Sequence, residues 1–522
     1  MHSSIISTPQ PKIQDPLIAV IGRLAVMMVL GQFTFSRYPA PVIAVSLVVI
    51  GGLFFESLYR NKYPTFLIQL FICNHFMFGY ENGGIYNMAA SLSLITYLAF
   101  FKNSFSAPSS VGAMLISLLA ALLIIQFISL LNNNAGTQTK LAAALIFTNL
   151  LFLFFFASKI QLSYPDLKRF IEVVGIFFFY SFVVSINQKY ELFASPFEFF
   201  PSLSAAEEYE MGILRSTGVL NNFEFYAEYS ISLIALVLPA VLSGSSKAYG
   251  QKFYYFCFAI IFIGVLSIIF SGTRSSVLLL PAVTLLTSVL LNKRLKIKVL
   301  LYGAVLASAF AIVNASAGWI DFDVFSKRSE NVDLKNLTLE KILSGEEINR
   351  GGIFAYGIKK AGESHLLFGE GYFTNRSQYI KVHFDKTGDD IIPDYHNLYM
   401  SVIVIWGYLG GIIFLSLFII SLVRGYQLYF RVRQYNLFAI DILLGFNLLF
   451  TFLLINQFKI QFIRDANYFL LTLLFLVIYN AVITLLKNST FLVPQENATK
   501  NMIIDIDVTK YANSYLTSET QF

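Results

Sequence analysis

About fourteen mostly apolar runs divide this chain, each close to the roughly 20 residues that an α-helix needs to cross a bilayer. They fall near 17–32, 41–58, 65–80, 85–101, 110–131, 141–158, 170–187, 225–243, 253–270, 274–291, 298–314, 397–422, 436–456 and 465–486. The chain is 56% hydrophobic and 13% charged, with 53 Phe and 29 Tyr, a balance that a water-facing surface does not tolerate. The expected fold class is therefore an all-α polytopic membrane protein. About 12–14 transmembrane helices are expected, because the first, third and fourth runs are short or carry polar residues. The first run holds Arg23 and lacks a small-residue cleavage site, so it reads as a retained span rather than a signal peptide.

Charge orients the set. The net charge of +6 comes from short clusters between apolar runs, which is a topology signal and excludes a nucleic-acid partner. With the amino terminus inside, the cytoplasmic connections hold Arg60 and Lys62, Lys102, Lys159, Lys168 and Arg169, Lys247 and Lys252, Lys293, Arg294, Lys296 and Lys298, and Arg424, Arg431 and Arg433. Both termini are then cytoplasmic. The organisation reads as N-terminal transmembrane helices at 1–187 and further helices with a first long outer loop at 188–314. A large extracytoplasmic loop at 315–396, C-terminal helices at 397–486 and a cytoplasmic tail at 487–522 follow. Leu, Ile, Phe and Tyr at helical spacing in "NLTLEKILSGEEINRGGIFAYGIKKAG" predict a helical cap in the large loop. Cys73 and Cys257 both lie in apolar runs, which supports neither a disulfide framework nor a thiolate metal site.

Basic residues on the outside have no topological reason to be there. Arg215 lies in "ILRSTGVLNNFEFYAEY", Arg274 opens a span in "IIFSGTRSSVLLL", and Lys459 and Arg464 sit in "NQFKIQFIRDAN". With Arg350 and His396 from the large loop they outline an anion site. Arginine presents a planar fork of donors that fits phosphate oxygens, and a helix start adds unpaired N–H groups and a favourable dipole. Several arginines suit a diphosphate better than a lone carboxylate. Against this, a juxtamembrane cation often only reaches for lipid headgroups, a reading that stays open for Lys459 and Arg464. His396 either caps a helix or serves as general base for a hydroxyl. The acids and histidines of "HFDKTGDDIIPDYH" fit no familiar ligand spacing, so no metal is expected.

Taken in order, "RSTGVLNN", "SGTRSS", "RGGIFAYGIKKAGESHLLFGEGYF" and "HNLYMSVIVIWGYLGG" resemble the O-antigen ligase and polymerase family of bacterial polysaccharide assembly, over about residues 210–425. The resemblance implies a metal-independent glycosyltransferase without cofactor. Its donor is a polyprenyl-diphosphate-linked glycan, held by Arg215 and Arg274 while His396 assists the incoming hydroxyl. Arg350, Gly369, Gly371 and Asn397 match supporting positions. The acceptor is a glycan or a lipid A-core, with membrane lipids and other polysaccharide-assembly proteins as further partners. The implied location is the bacterial inner membrane, with the active site on its extracytoplasmic face. A polymerase is expected, with a ligase as the alternative. A flippase for the same lipid-linked sugar is a further alternative, but it calls for an internal repeat that this chain does not show. Two departures stand out. Leu220-Asn221-Asn222-Phe223 replaces an Asn-Pro-Asn-like run, and Leu366, Leu367 and Phe368 occupy a stretch where proline is frequent.

Overall fold

The computed structural model describes residues 16–32, 39–60, 110–132, 162–190, 214–220, 222–291, 397–435, 437–459, 461–464 and 466–489. It adds short pieces at 207–208, 367–369, 371, 381–384 and 388–391, and isolated positions at 69, 92–93, 96, 137, 140–141, 143–144, 147–148 and 192. The protein is an all-α polytopic membrane protein. Its described helices are α1 (Leu17–Gln32), α2 (Ala40–Tyr59), α3 (Ser110–Asn132), α4 (Tyr164–Tyr190), α5 (Phe223–Ser243), α6 (Gln251–Ser271), α7 (Arg274–Leu290), α8 (Leu398–Val432), α9 (Phe438–Asn456) and α10 (Ala466–Lys487). Among the described residues, eight of these are long and apolar enough to cross a membrane, while α1 and α7 contribute shorter apolar stretches. The runs expected at 65–80, 85–101 and 141–158 are described only at isolated positions, and 298–314 lies outside the described residues.

Local chemistry sets the ends. Asn222 caps α5 by accepting from Glu224 N and Phe225 N, and Gly244 closes it in the left-handed conformation. Gly272 closes α6 in the same way. α5 is buried along its whole length, so it forms the centre around which α6, α7 and α9 pack, and α4 reaches it where Phe178 meets Tyr229 edge to face. Close approach rests on small residues, as expected where lipid supplies no hydrophobic drive between helices. A Cβ on Gly445 of α9 would run into the backbone of Leu236 in α5. At the periphery, Arg23 of α1 pairs with Glu56 of α2 at 3.3 Å, which accounts for a charge within an apolar run.

One end of the bundle collects the carboxyl ends of α3, α4, α6 and α9 and the amino ends of α5, α7, α8 and α10. Direct bonds tie these ends together: Ser216 N to Phe270 O, Leu398 N to Gln457 O, and Trp406 Nε1 to Gln126 Oε1. Two short antiparallel ladders accompany the helices. β1 (Glu207–Glu208) pairs with β2 (Leu214–Arg215), and β3 (Lys381–Phe384) pairs with β4 (Gly388–Ile391). The second ladder belongs to the 315–396 segment, whose predicted helical stretch lies outside the described residues.

Candidate functional site

Arg215 is buried, and its guanidinium lies 3.3 Å from the ring centroid of Phe223. Its Nε donates to Ser271 O at 2.8 Å, and its Nη2 donates to Gly272 O at 3.1 Å and Thr273 Oγ1 at 3.3 Å. These acceptors are the carbonyls and the hydroxyl of the turn that ends α6 and starts α7, where helix carbonyls otherwise lack partners. Arg215 thus clamps the turn that presents Arg274. The clamp is itself fixed from α4. Gln188 Oε1 accepts from Thr217 N and Gly218 N, each at 3.0 Å, and Gln188 Nε2 returns a bond to Thr217 Oγ1. Gly218 takes a left-handed φ of 54° there, and a side chain would collide with Ser181 and Tyr226.

Arg274 is the first residue of α7, so the unpaired N–H groups of that helix start sit beside it. Two residues on, Ser276 is fully buried and its Oγ has no hydrogen-bond partner among the described residues. The carbonyl four residues back, which a helical serine normally uses, already accepts from Arg215. Lys459 completes this group. Its Nζ lies 3.1 Å from Ser275 Oγ and 3.4 Å from Glu224 Oε1 of α5. Contrary to a simple headgroup contact, this cation is engaged inside the protein. Of Arg464, the structure describes the backbone, in a 3-10 turn at Phe462–Arg464.

The third part is a joint between the large loop and α8. At 35 residues α8 would reach about 52 Å if straight, well beyond a hydrocarbon core of roughly 30 Å. It is broken at Gly407, where φ is 69° and ψ is −178°. The break releases Ile405 O, which accepts from Gly371 N at 2.7 Å. The 367–371 turn seats against the break so closely that a Cβ on Gly369 would strike Val404, Ile405 and Gly407 backbone, and one on Gly407 would strike Leu367 and Phe368. Ser129 of α3 donates to Phe368 O from the other side. Residues 367–369 and 371 and the stretch Val404 to Gly407, more than 30 residues apart in sequence, therefore form one interlocked unit. Asn397 caps α8 by accepting from Met400 N at 3.1 Å, and its Nδ2 reaches Phe458 O at 3.4 Å. His396 and Arg350 lie outside the described residues.

A fourth group was not singled out by the pattern of basic residues. Glu228, one turn into α5 and 0% exposed, accepts from Asn456 Nδ2, from Gln457 Nε2 at 2.8 Å and from Tyr468 OH at 2.9 Å. Its sequence signal is an acid within an apolar run, which in a membrane span is a functional flag by default.

The structure thus brings Arg215, the α7 start with Arg274, Lys459 and Asn397 to one end of the bundle, with Gly369 and Gly371 bracing the break in α8. Residues 259–415 match the family model described as O-antigen ligase, which bears out the resemblance read from the sequence. The matched region begins in α6 and ends in α8, so it spans the clamped turn and the Gly407 joint. No curated protein matches the chain. The family match supports a membrane enzyme of surface polysaccharide assembly.

Proposed function

We propose that this chain, which carries an O-antigen ligase region at residues 259–415, is a glycosyltransferase that polymerises surface polysaccharide from a polyprenyl-diphosphate-linked oligosaccharide. The observation that carries this reading is the start of α7. A clamped turn offers Arg274, free helix-start N–H groups and an unpartnered buried Ser276 hydroxyl at one point, with Lys459 alongside. That set suits the diphosphate of the donor. As the bond from the sugar to the diphosphate breaks, negative charge grows on the leaving oxygen. Fixed donors there stabilise the transition state more than the ground state. The acceptor hydroxyl forms the new glycosidic bond and gives its proton to His396, the neighbour of the α8 cap. Polyprenyl diphosphate leaves through the bilayer.

The opposite end of the bundle holds Lys168, Arg169, Lys247, Lys252, Arg431 and Arg433, which suits the cytoplasmic face and supports a site on the extracytoplasmic face of the inner membrane. An impermeant thiol reagent applied to cells should therefore label a cysteine placed at residue 340. Labelling only after lysis would refute the orientation.

Purified protein incubated with polyprenyl-diphosphate oligosaccharide should yield longer lipid-linked chains. A product that forms only when lipid A-core is supplied would assign the ligase reaction instead. His396→Ala should lose at least about a hundredfold in rate, since proton transfer contributes roughly 10²–10⁴-fold. If His396→Asn turns over normally, the histidine is architectural.

A further inference from the structure

The buried carboxylate of Glu228 takes part in none of the steps above, yet it lies where the two halves of the site meet. All three of its partners are donors, and two of them, Asn456 and Gln457, are the last residue of α9 and its immediate successor. From there two paths lead out. Gln457 holds the start of α8, because its carbonyl accepts Leu398 N at 2.9 Å while its Oε1 accepts Phe462 N at 2.8 Å. The amide of Gln457 is thereby fixed in one orientation, with the nitrogen toward Glu228 and the oxygen toward Phe462. Asn456 precedes the turn that carries Lys459 to Glu224 and Ser275, beside Arg274.

We infer that Glu228 is a positioning residue that sets the α8 start, and with it Asn397 and His396, against the diphosphate site at α7. The inference rests on the glycosyltransferase reading. The two amides of Asn456 and Gln457 converge on one carboxylate oxygen, and Tyr468 OH donates to the other. An amide at 228 keeps only a neutral oxygen toward Asn456 and Gln457 and turns its N–H to Tyr468 Oη, so the charge that holds Gln457 in its fixed orientation is lost. Bonding geometry makes the link contiguous from Glu228 to Gln457 and from Gln457 to Leu398, next to the Asn397 cap, and His396 is the next residue in the sequence. An acid that merely glued α5 to α9 and α10 would lower stability on removal and leave turnover per folded molecule intact.

The test compares wild type, Glu228→Gln, Gln457→Leu and the exchange Glu228→Gln with Gln457→Glu. Purified proteins are assayed for chain extension and for amide hydrogen exchange. For Glu228→Gln we expect kcat to fall about a hundredfold, the size of loss that a small misplacement of reacting groups produces, with donor KM changed far less. Exchange should accelerate at Leu398 and Phe462. The exchanged pair restores the match at 457 once Asn456 turns its amide oxygen toward the amide at 228, keeps an acceptor for Phe462 N, and should recover most of the kcat. Wild-type kcat in Glu228→Gln, or unchanged exchange at both amides, overturns the inference. Should Glu228→Gln fail to accumulate, Gln457→Leu leaves the carboxylate in place and must show the same kcat loss, and normal turnover there overturns it equally. A wild type without transfer activity would refute the function, and exchange at Leu398 and Phe462 would then decide the coupling by itself.

Discussion

The helix pair α5 and α9 carries a buried acid at each end, and the two are held for different reasons. Asp441, in the first turn of α9, accepts from Ser243 Oγ and Ser245 Oγ at 2.5 Å each. An acid there favours the helix dipole, and its serine partners belong to the connection that turns α5 into α6. Its whole setting is explained by closing that end of the bundle. Glu228 sits past the first turn of α5, where capping gives no reason for it, and its donors are Asn456 and Gln457, where α9 gives way to the turn that carries Lys459, and Tyr468 of α10. Two acids of similar burial thus answer different questions. Asp441 concerns how the bundle is sealed, and Glu228 how its site is aligned.

Backbone geometry repeats the contrast, and it gives the largest expected effect. Gly407 has a positive φ, and a Cβ would press into the backbone of Leu367 and Phe368. Gly52, in α2 away from the site, has nothing within 4 Å of the position a Cβ would take. Gly407→Ala should destabilise by about 3 kcal/mol or more, since strain at a left-handed position and overpacking each cost roughly 1–3 kcal/mol. It should also abolish chain extension, because the 367–371 turn loses its seat on α8. Gly52→Ala should be neutral or stabilising by roughly 0.5–1 kcal/mol. Thermal unfolding in detergent separates the two, and equal melting temperatures would show that the interlocked turn contributes nothing.

The fold was legible because hydropathy reports lipid contact directly. The runs at 41–58, 110–131, 225–243, 253–270 and 274–291 coincide with α2, α3, α5, α6 and α7 to within a few residues. The misreadings are physical. α4 starts at Tyr164 rather than 170, because Ser163 and Asp166 cap it and Lys168 and Arg169 pair with Glu172 on a polar first stretch that lowers the hydropathy. α8 continues ten residues past 422 for a similar reason, through Arg424 and Arg431. In the site, Arg215, Arg274, Lys459 and Asn397 stood out as charges or helix-start signals. Glu228 showed only as an acid within an apolar run, and Gln188, Gln457 and Tyr468 did not show at all. Their significance lies in partners up to 240 residues away, which no local pattern displays. The clamp role of Arg215 was hidden likewise, since its acceptors are backbone carbonyls 56 and 57 residues on.

The smallest effect is also the one that separates the two acids most cleanly. Asp441→Asn keeps an oxygen that accepts from Ser243 and Ser245, and removes only the charge from those bonds. Hydrogen bonds to a charged group contribute roughly 1.5–3 kcal/mol against 0.5–1.5 kcal/mol for neutral ones, so a stability loss of about 1–2 kcal/mol is expected. The hydrogen-bond partners of Asp441 among the described residues close the far end of α5, away from the starts of α7 and α8. Turnover per folded molecule should therefore match wild type, measured as the initial rate of chain extension divided by the amount of folded protein. Glu228→Gln should show the reverse, with a modest change in unfolding temperature and a large one in kcat. If Asp441→Asn lowers kcat as much as Glu228→Gln does, position along the bundle has no bearing on turnover. Both carboxylates would then act only by holding α5 and α9 together.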